Sequence, residues 1–308
     1  MNVINKFINR LNLLFMQSKF GLPNLFIFIY YHFKQFNVPL VYKVTNTSFT
    51  DSDKIVTFGS LCAIASTDDK IFKKFRLSRV LIQALDHVSI EQGYGYLQEI
   101  IKVEPWNSDF QHALKQIDSL GSPIKYKFKG YGFFSPTSLR YLKVHLDLTY
   151  LFHSLNELDI VEIGVGFGGQ AMLTNILSHP NSYSLYDIPP VLDLSQKFIK
   201  ESKVRGNFIY YSGIIPEKLK SDLVISNYAF SELNREIQDL YLKNVILNSK
   251  RGYITWNYIS EYYYDGYSLA DLLRIIPGSQ IITEKPLTSP SNAIVVWGHD
   301  SVLSHPSI

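Results

Sequence analysis

Ile160–Gln170 reads IVEIGVGFGGQ. Four residues with strand character, Ile160–Ile163, run into a turn crowded by Gly164, Gly166, Gly168 and Gly169, and a helix follows. Glycines at such a turn accept positive φ and let the backbone approach a ligand closely. The free amides at the start of the following helix favour a negative group. The next strand ends in Asp187 (SLYDIPP), where a carboxylate can accept hydrogen bonds from both hydroxyls of a ribose. Together these imply a nucleoside-containing cofactor at the carboxyl ends of the first parallel strands of an open α/β sheet.

Outward from this turn the chain alternates short apolar runs with helical stretches. Strands are expected at Ile160–Ile163, Tyr183–Tyr186, Phe208–Tyr211, Asp222–Ser226, Gly252–Trp256, Gln280–Thr283 and Ala293–Trp297. Helices are expected at Gly169–Leu177, Val191–Val204, Arg235–Leu247 and near Leu269–Ile276. This alternation predicts a Rossmann-like seven-stranded sheet, mostly parallel, with helices on both faces. Pro286 and Pro290, with no helix between the last two strands, predict that the final strand returns antiparallel.

The first part of the chain reads as a mainly helical region, residues 1–133, preceding the sheet domain at 134–308. Residues 70–88 space Ile71, Phe75, Val80, Ile82 and Leu85 as on an amphipathic helix. Gly93–Tyr96 reads as a Gly/Tyr-rich break, followed by a helix from about Trp106 to Leu120, ended by Gly121 and Pro123. Ser135-Pro136 opens a helix reaching about Leu155, with Ser135 as the capping residue and Arg140, Lys143 and Asp147 as its one charged stripe. This N-terminal region would cover the cofactor and build an acceptor pocket.

Composition narrows the class. The 308 residues are 46% apolar and 19% charged, and 30 Lys+Arg against 27 Asp+Glu give a net charge of +3. Such balance does not suit a dedicated nucleic-acid binder. The single cysteine, Cys62, excludes an internal disulfide and fits a reducing, cytoplasmic setting. Leu22–Phe33, the most apolar run, is far shorter than the roughly 20 residues a spanning helix needs. Lys6, Arg10 and Lys19 beside Phe7, Leu14 and Phe15 suit either peripheral membrane contact or a helix packed on the protein. Eight scattered histidines show no zinc-ligand spacing, so no metal site is assigned, while a magnesium held by two carboxylates and a sugar diol would leave little trace in the sequence and stays open.

Gly164, Gly166 and Gly169 satisfy GxGxxG, which leaves an NAD(P)-dependent oxidoreductase open. Three features point instead to S-adenosylmethionine: an acid, Glu162, two residues before the first glycine; the mid-chain position of the turn; and the polar and aromatic segment Asp222–Leu233 (DLVISNYAFSEL) after the fourth strand. In SLRYLK (138–143), VEIGVGFGGQA (161–171), YSLYDIPPVL (183–192) and ISNYAFSEL (225–233), the chain from about Phe134 to Gly298 resembles a class I S-adenosylmethionine-dependent methyltransferase. Within that class it is similar to the sugar O-methyltransferases related to the enzyme of nanchangmycin sugar assembly. The resemblance implies methyl transfer to a hydroxyl of an activated sugar or lipid-linked glycan. By position, Glu162 and Gly164 would approach the methionine end of the cofactor, Gly166 and Gly168 its backbone, and Asp187 its ribose. The remaining alternative is a non-catalytic binding module with a degenerate cofactor site.

A sugar hydroxyl is a weak nucleophile, so a proton acceptor within hydrogen-bond reach is expected. Glu232, just after the fourth strand, is one candidate; its plainer reading is a carboxylate at a helix entry. His145, one turn from Tyr141, is a second, and its plainer reading is a core histidine. Arg140 is a candidate for the cofactor carboxylate or a substrate phosphate, against a surface stripe with Lys143 and Asp147. Asn227 and Tyr228 are candidates for the cofactor's amino-acid end or the acceptor. Tyr94, Tyr96, Tyr131 and Tyr262–Tyr264 could stack on sugar rings, although in a chain that is 14% aromatic most such residues serve packing.

Overall fold

A computed structural model describes residues 58–212, 218–257 and 265–299. The expected 1–20 helix, the Leu22–Phe33 run and Tyr262–Tyr264 lie outside the described residues. The sheet has seven strands: β3 (Asp159–Ile163), β4 (Ser182–Asp187), β5 (Phe208–Ser212), β6 (Ser221–Asn227), β7 (Ser249–Trp256), β8 (Gln280–Thr283) and β9 (Ala293–Trp297). Their order is β5-β4-β3-β6-β7-β9-β8. The pairs β3–β4, β4–β5, β3–β6 and β6–β7 are parallel, whereas β9 enters antiparallel between β7 and β8. The expected Rossmann-like sheet with its antiparallel last strand is the observed one. The order reverses between β3 and β6, which puts a ligand crevice at their carboxyl ends.

Side chains alternate across each strand and so feed two cores. On one face Ile160, Leu185, Leu223, Ile225 and Ile294 meet α6 (Pro136–Phe152), α7 (Gly169–Leu177) and α8 (Pro189–Ser202). On the other, Val161, Ile163, Val224, Ile254 and Val295 meet Leu242 of α9 (Arg235–Asn244) and Leu272 of α10 (Leu269–Ile275). A third core lies outside α6–α8, where the N-terminal helices pack on their outer sides through Phe75, Leu81, Ile100 and Leu114. The N-terminal region therefore sits on helices and not on the sheet.

That region departs most from the sequence reading. The single helix expected over 70–88 is broken into α2 (Asp69–Phe72), a 3-10 turn (Phe75–Leu77) and α3 (Arg79–Ala84), after α1 (Phe58–Thr67). The cause is Arg76, fully buried, whose guanidinium donates to Asp86 at 2.8 Å and lies 3.5 Å from Asp118. A straight helix cannot fold back to bring Asp86 to Arg76, and the buried ion pair outweighs local propensity. Gly93 and Gly95 fall inside α4 (Ile90–Val103), not in a break. A Cβ at Gly93 would stand 2.9 Å from the Phe128 ring, and one at Gly95 3.0 Å from Pro286, so these glycines serve close packing. The next helix is shorter than expected, α5 (Ser108–Ile117), and a hairpin of β1 (Tyr126–Phe128) and β2 (Gly132–Phe134) went unread.

Helix α6 also corrects two expectations. Ser135 occupies the N-cap position without a side-chain capping bond. Asp118 takes over, accepting the Ser135 amide at 2.6 Å and the Ser138 hydroxyl at 2.7 Å. The Arg140–Lys143–Asp147 stripe is not a solvated face: Lys143 and Asp147 are buried and bonded to each other at 2.5 Å. The Tyr253 hydroxyl adds a third member, donating to Asp147 at 2.7 Å.

Candidate functional site

The turn after β3 has the conformation its glycines suggested. Gly164, Gly166 and Gly168 all take positive φ (77°, 53° and 86°), and Gly168 is the N-cap of α7. Only glycine fits at Gly164 and at neighbouring Gly169 without displacement. A Cβ on Gly164 would lie 2.0 Å from the Ala229 Cβ, and one on Gly169 2.4 Å from the Tyr141 ring. Gly166 faces Leu85, whose methyl would stand 3.0 Å from an added Cβ. The turn is thus bordered by Leu85 from the N-terminal region and by Ala229 after β6.

Asp187 reaches this turn from the end of β4. Its carboxylate accepts the Gly166 amide at 3.1 Å and the Ile188 amide at 2.8 Å. The Gly166 bond joins two sequence signals 21 residues apart and fixes an acid against the glycine turn. Glu162 lies just before the turn, buried on the α6–α8 side of the sheet, and accepts the Tyr183 hydroxyl at 2.8 Å. Burial pushes its carboxyl up to about 8; the Tyr183 bond opposes this shift and nearby Asp187 adds to it. Glu162 is therefore mostly protonated at neutral pH, with no cation paired to it among the described residues.

A pocket opens at the carboxyl ends of β6 and β7, between α6, α4 and the β8–β9 connection. Arg140, Asn227 and Tyr228, separate candidates in the sequence, line it together with Tyr96, Glu284 and Lys285. Tyr228 is a non-glycine residue at φ 67°, a conformation that costs energy and is held here by its partners. Its amide donates to the Thr255 carbonyl at 3.0 Å, and its hydroxyl donates to Glu284 and meets Thr288 Oγ1 at 3.1 Å. The second Glu284 oxygen accepts the Thr288 amide at 2.9 Å and its hydroxyl at 2.6 Å. Since Ala229, against Gly164, directly follows Tyr228, the pocket adjoins the glycine turn.

The two proton-acceptor candidates lie elsewhere. Glu232, in a 3-10 turn (Phe230–Glu232), accepts the Asn257 amide group at 2.9 Å and does not line this pocket. His145 is 4% exposed, its Nδ1 meets no partner among the described residues, and burial alone pushes its imidazole down to about 4. So weak a base, outside the pocket, is the core histidine of the plainer reading. Sequence reasoning missed Glu284 and Lys285 and read Lys143 only as part of a charged stripe. None carries a local motif, because the pocket unites elements from α4 to β9 that are distant in the chain.

No family model matches the chain, and no curated protein matches it. Several solved structures are similar to it at low identity. A mutant of MtNAS in complex with S-adenosylmethionine shares 17% identity at a TM-score of 0.40, covering 81% of this chain and 93% of that one. Magnesium protoporphyrin IX methyltransferase (ChlM) from Synechocystis PCC 6803 with bound SAH shares 15% identity at a TM-score of 0.39, covering 64% and 97%. Thermoplasma acidophilum 1320 shares 14% identity at a TM-score of 0.40, covering 64% and 100%. Among the described residues, no helix is long and apolar enough to cross a membrane.

Proposed function

We propose that the protein is an S-adenosylmethionine-dependent O-methyltransferase whose acceptor is a sugar hydroxyl. The observation that supports this reading is the Gly166–Asp187 hydrogen bond, which joins an acid at the end of β4 to a turn whose glycines take positive φ. S-Adenosylmethionine, when bound, supplies an electrophilic methyl group. The residues that would hold it are Asp187 for the ribose, Gly166 and Gly168 through their backbone, and Glu162 with Gly164 at the methionine end. Asn227 and Tyr228 would border it at the end of β6.

For the acceptor, the chain supplies positioning and a route for the proton. Tyrosine rings and hydroxyls at Tyr96, Tyr228 and Tyr253 in one pocket suit a sugar, whose apolar ring faces and hydroxyl edges need both. In-line displacement gains most of its rate from such alignment. Glu232 remains the proposed proton acceptor from sequence; the contacts of Tyr228 favour a second, in which the acceptor hydroxyl gives its proton to Tyr228 as Tyr228 gives its own to Glu284. The N-terminal region, residues 1–133, would cover the turn through Leu85 and wall the pocket through Tyr96.

Labelled methyl transfer from S-adenosylmethionine to a panel of sugar acceptors tests the function. Glu232→Gln and Glu284→Gln separate the two proton routes. The true acceptor should lose about 100-fold or more in kcat on substitution, while S-adenosylhomocysteine affinity stays. Equal activity of both variants with wild type would remove both carboxylates from the chemistry.

Glu162 gives a second check through proton linkage. Its folded pKa of about 8 is raised above the ordinary 4.5, so its contribution to stability is full below the ordinary value and is lost as pH rises through about 8. Stability should fall between the ordinary 4.5 and about 8 and level off above that, and Glu162→Gln should flatten that fall. A cofactor ammonium brought beside Glu162 would ionise it. Titration with S-adenosylhomocysteine at pH 7, repeated in buffers of differing ionisation enthalpy, should therefore register proton release. The same titration of Glu162→Gln should register none; release persisting in that variant would remove Glu162 from the cofactor's methionine end.

A further inference from the structure

Resting on the reading above, we propose that the acceptor is an anionic sugar derivative and that Arg140 binds its phosphate or carboxylate group. The fold pairs its other buried cations with acids. Arg76 has Asp86 and Asp118, and Lys143 has Asp147 at 2.5 Å. Arg140 differs. Its guanidinium donates to the Leu85 carbonyl at 3.3 Å and lies beside the rings of Tyr141 and Tyr228, at 5.7 Å and 5.9 Å, while Tyr96 and, from beyond ion-pair distance, Asp86 also act on it.

Among the described residues no carboxylate stands within ion-pair distance of it, although Arg140 is largely enclosed and faces the pocket. A desolvated cation held without an acid is costly unless a ligand supplies the charge. The ring contacts hold the guanidinium plane in place, which suits two-pronged recognition of an oxyanion.

The charge of the pocket points the same way. Among the lining residues, Lys143 is held by Asp147 and the Glu284 carboxylate by Tyr228 and Thr288, which leaves the charge of Arg140 facing the pocket. None of the glycines of the cofactor turn lines this pocket. A ligand that meets Arg140 there is therefore set beside the cofactor and not in its place. The proposed acceptor presents its hydroxyl toward the Tyr228 side and its anion toward α6.

The test uses the full chain with inorganic phosphate and pyrophosphate as probes, followed by 31P line broadening at constant ionic strength. Saturable binding is expected in the wild type, weakened roughly ten- to hundredfold by Arg140→Gln and less by Arg140→Lys. Near-UV circular dichroism confirms that each variant is folded. No saturable binding by the wild type, or binding untouched by Arg140→Gln in a folded variant, overturns the proposal. A third arm compares S-adenosylhomocysteine with 5′-methylthioadenosine, which lacks the amino-acid carboxylate. If Arg140→Gln weakens only the former and spares the phosphate probes, Arg140 belongs to the cofactor and the proposal is overturned. Phosphate binding that depends on Arg140 in a protein that fails to bind S-adenosylhomocysteine would overturn the methyltransferase reading and leave the anion site standing.

Discussion

Gly164→Ala should lower stability by about 2–4 kcal/mol, the sum of a left-handed backbone imposed on alanine and an overpacked contact, and should cut S-adenosylhomocysteine affinity at least tenfold. The added methyl would stand 2.0 Å from the Ala229 Cβ, roughly half an ordinary carbon contact, and neither atom belongs to a flexible side chain. Either the turn or the segment after β6 must move, and both border the proposed cofactor. Ala229→Gly in the same chain removes the collision but not the backbone strain. It should return about half of the lost stability. Chemical denaturation and calorimetry of the two single variants and the double variant form the cycle, and additive losses would mean that the two residues do not meet.

Arg76→Met has an expected cost of about 3–5 kcal/mol, the usual effect of removing one partner from a buried charge cluster. The guanidinium is 0% exposed, and it also lies 4.7 Å from the centre of the Phe167 ring, inside the glycine turn. Its loss removes the ion-pair partner that Asp86 and Asp118 share. Burial already raises Asp118 above the ordinary carboxylate range, against the opposing pull of Arg76. In the variant that opposing pull is gone and the folded pKa rises further. A raised folded pKa makes stability fullest at low pH and loses it as pH rises, so the deficit should shrink toward pH 4–5. A pH series of urea midpoints measures this. Asp118→Asn added to Arg76→Met should recover part of the loss at neutral pH; a deficit that is flat with pH would assign the effect to packing.

These two residues mark the boundary of what the sequence makes legible. Gly164 sits in a contiguous pattern, strand then glycines then helix, and that pattern alone foretells the turn, its positive φ and its place at the strand ends. The sheet is legible for the same reason: Ile160–Ile163 or Ala293–Trp297 is a short apolar run whose burial on both faces leaves strand as the economical reading. Asp187 is legible because its spacing from the turn is set by one βα unit.

Arg76 belongs to the other kind. Its partners lie 10 and 42 residues away, and a long-range ion pair breaks a helix that apolar spacing supports over 70–88. Tyr96 and Glu284 meet in the pocket only after α4 has packed on α6 and the β8–β9 hairpin has closed. Arg140 is legible as a candidate for an anionic group, yet its lack of an ion-paired acid among the described residues appears only once Lys143 is seen to hold Asp147. His145 shows the converse, a residue of the right chemistry in promising local company that the fold directs to the core.

The central claim is that the glycine turn and Asp187 hold S-adenosylmethionine and not a dinucleotide. Calorimetric titration of the full chain with S-adenosylhomocysteine, with NAD as the parallel ligand, tests it most directly. The account predicts saturable one-site binding of S-adenosylhomocysteine, weakened by about 1–3 kcal/mol in Asp187→Ala through the lost ribose hydrogen bonds, and no binding of NAD. Saturable binding of NAD alone would contradict the cofactor assignment while leaving the fold intact, and binding of neither would contradict the assignment of this turn as a cofactor site.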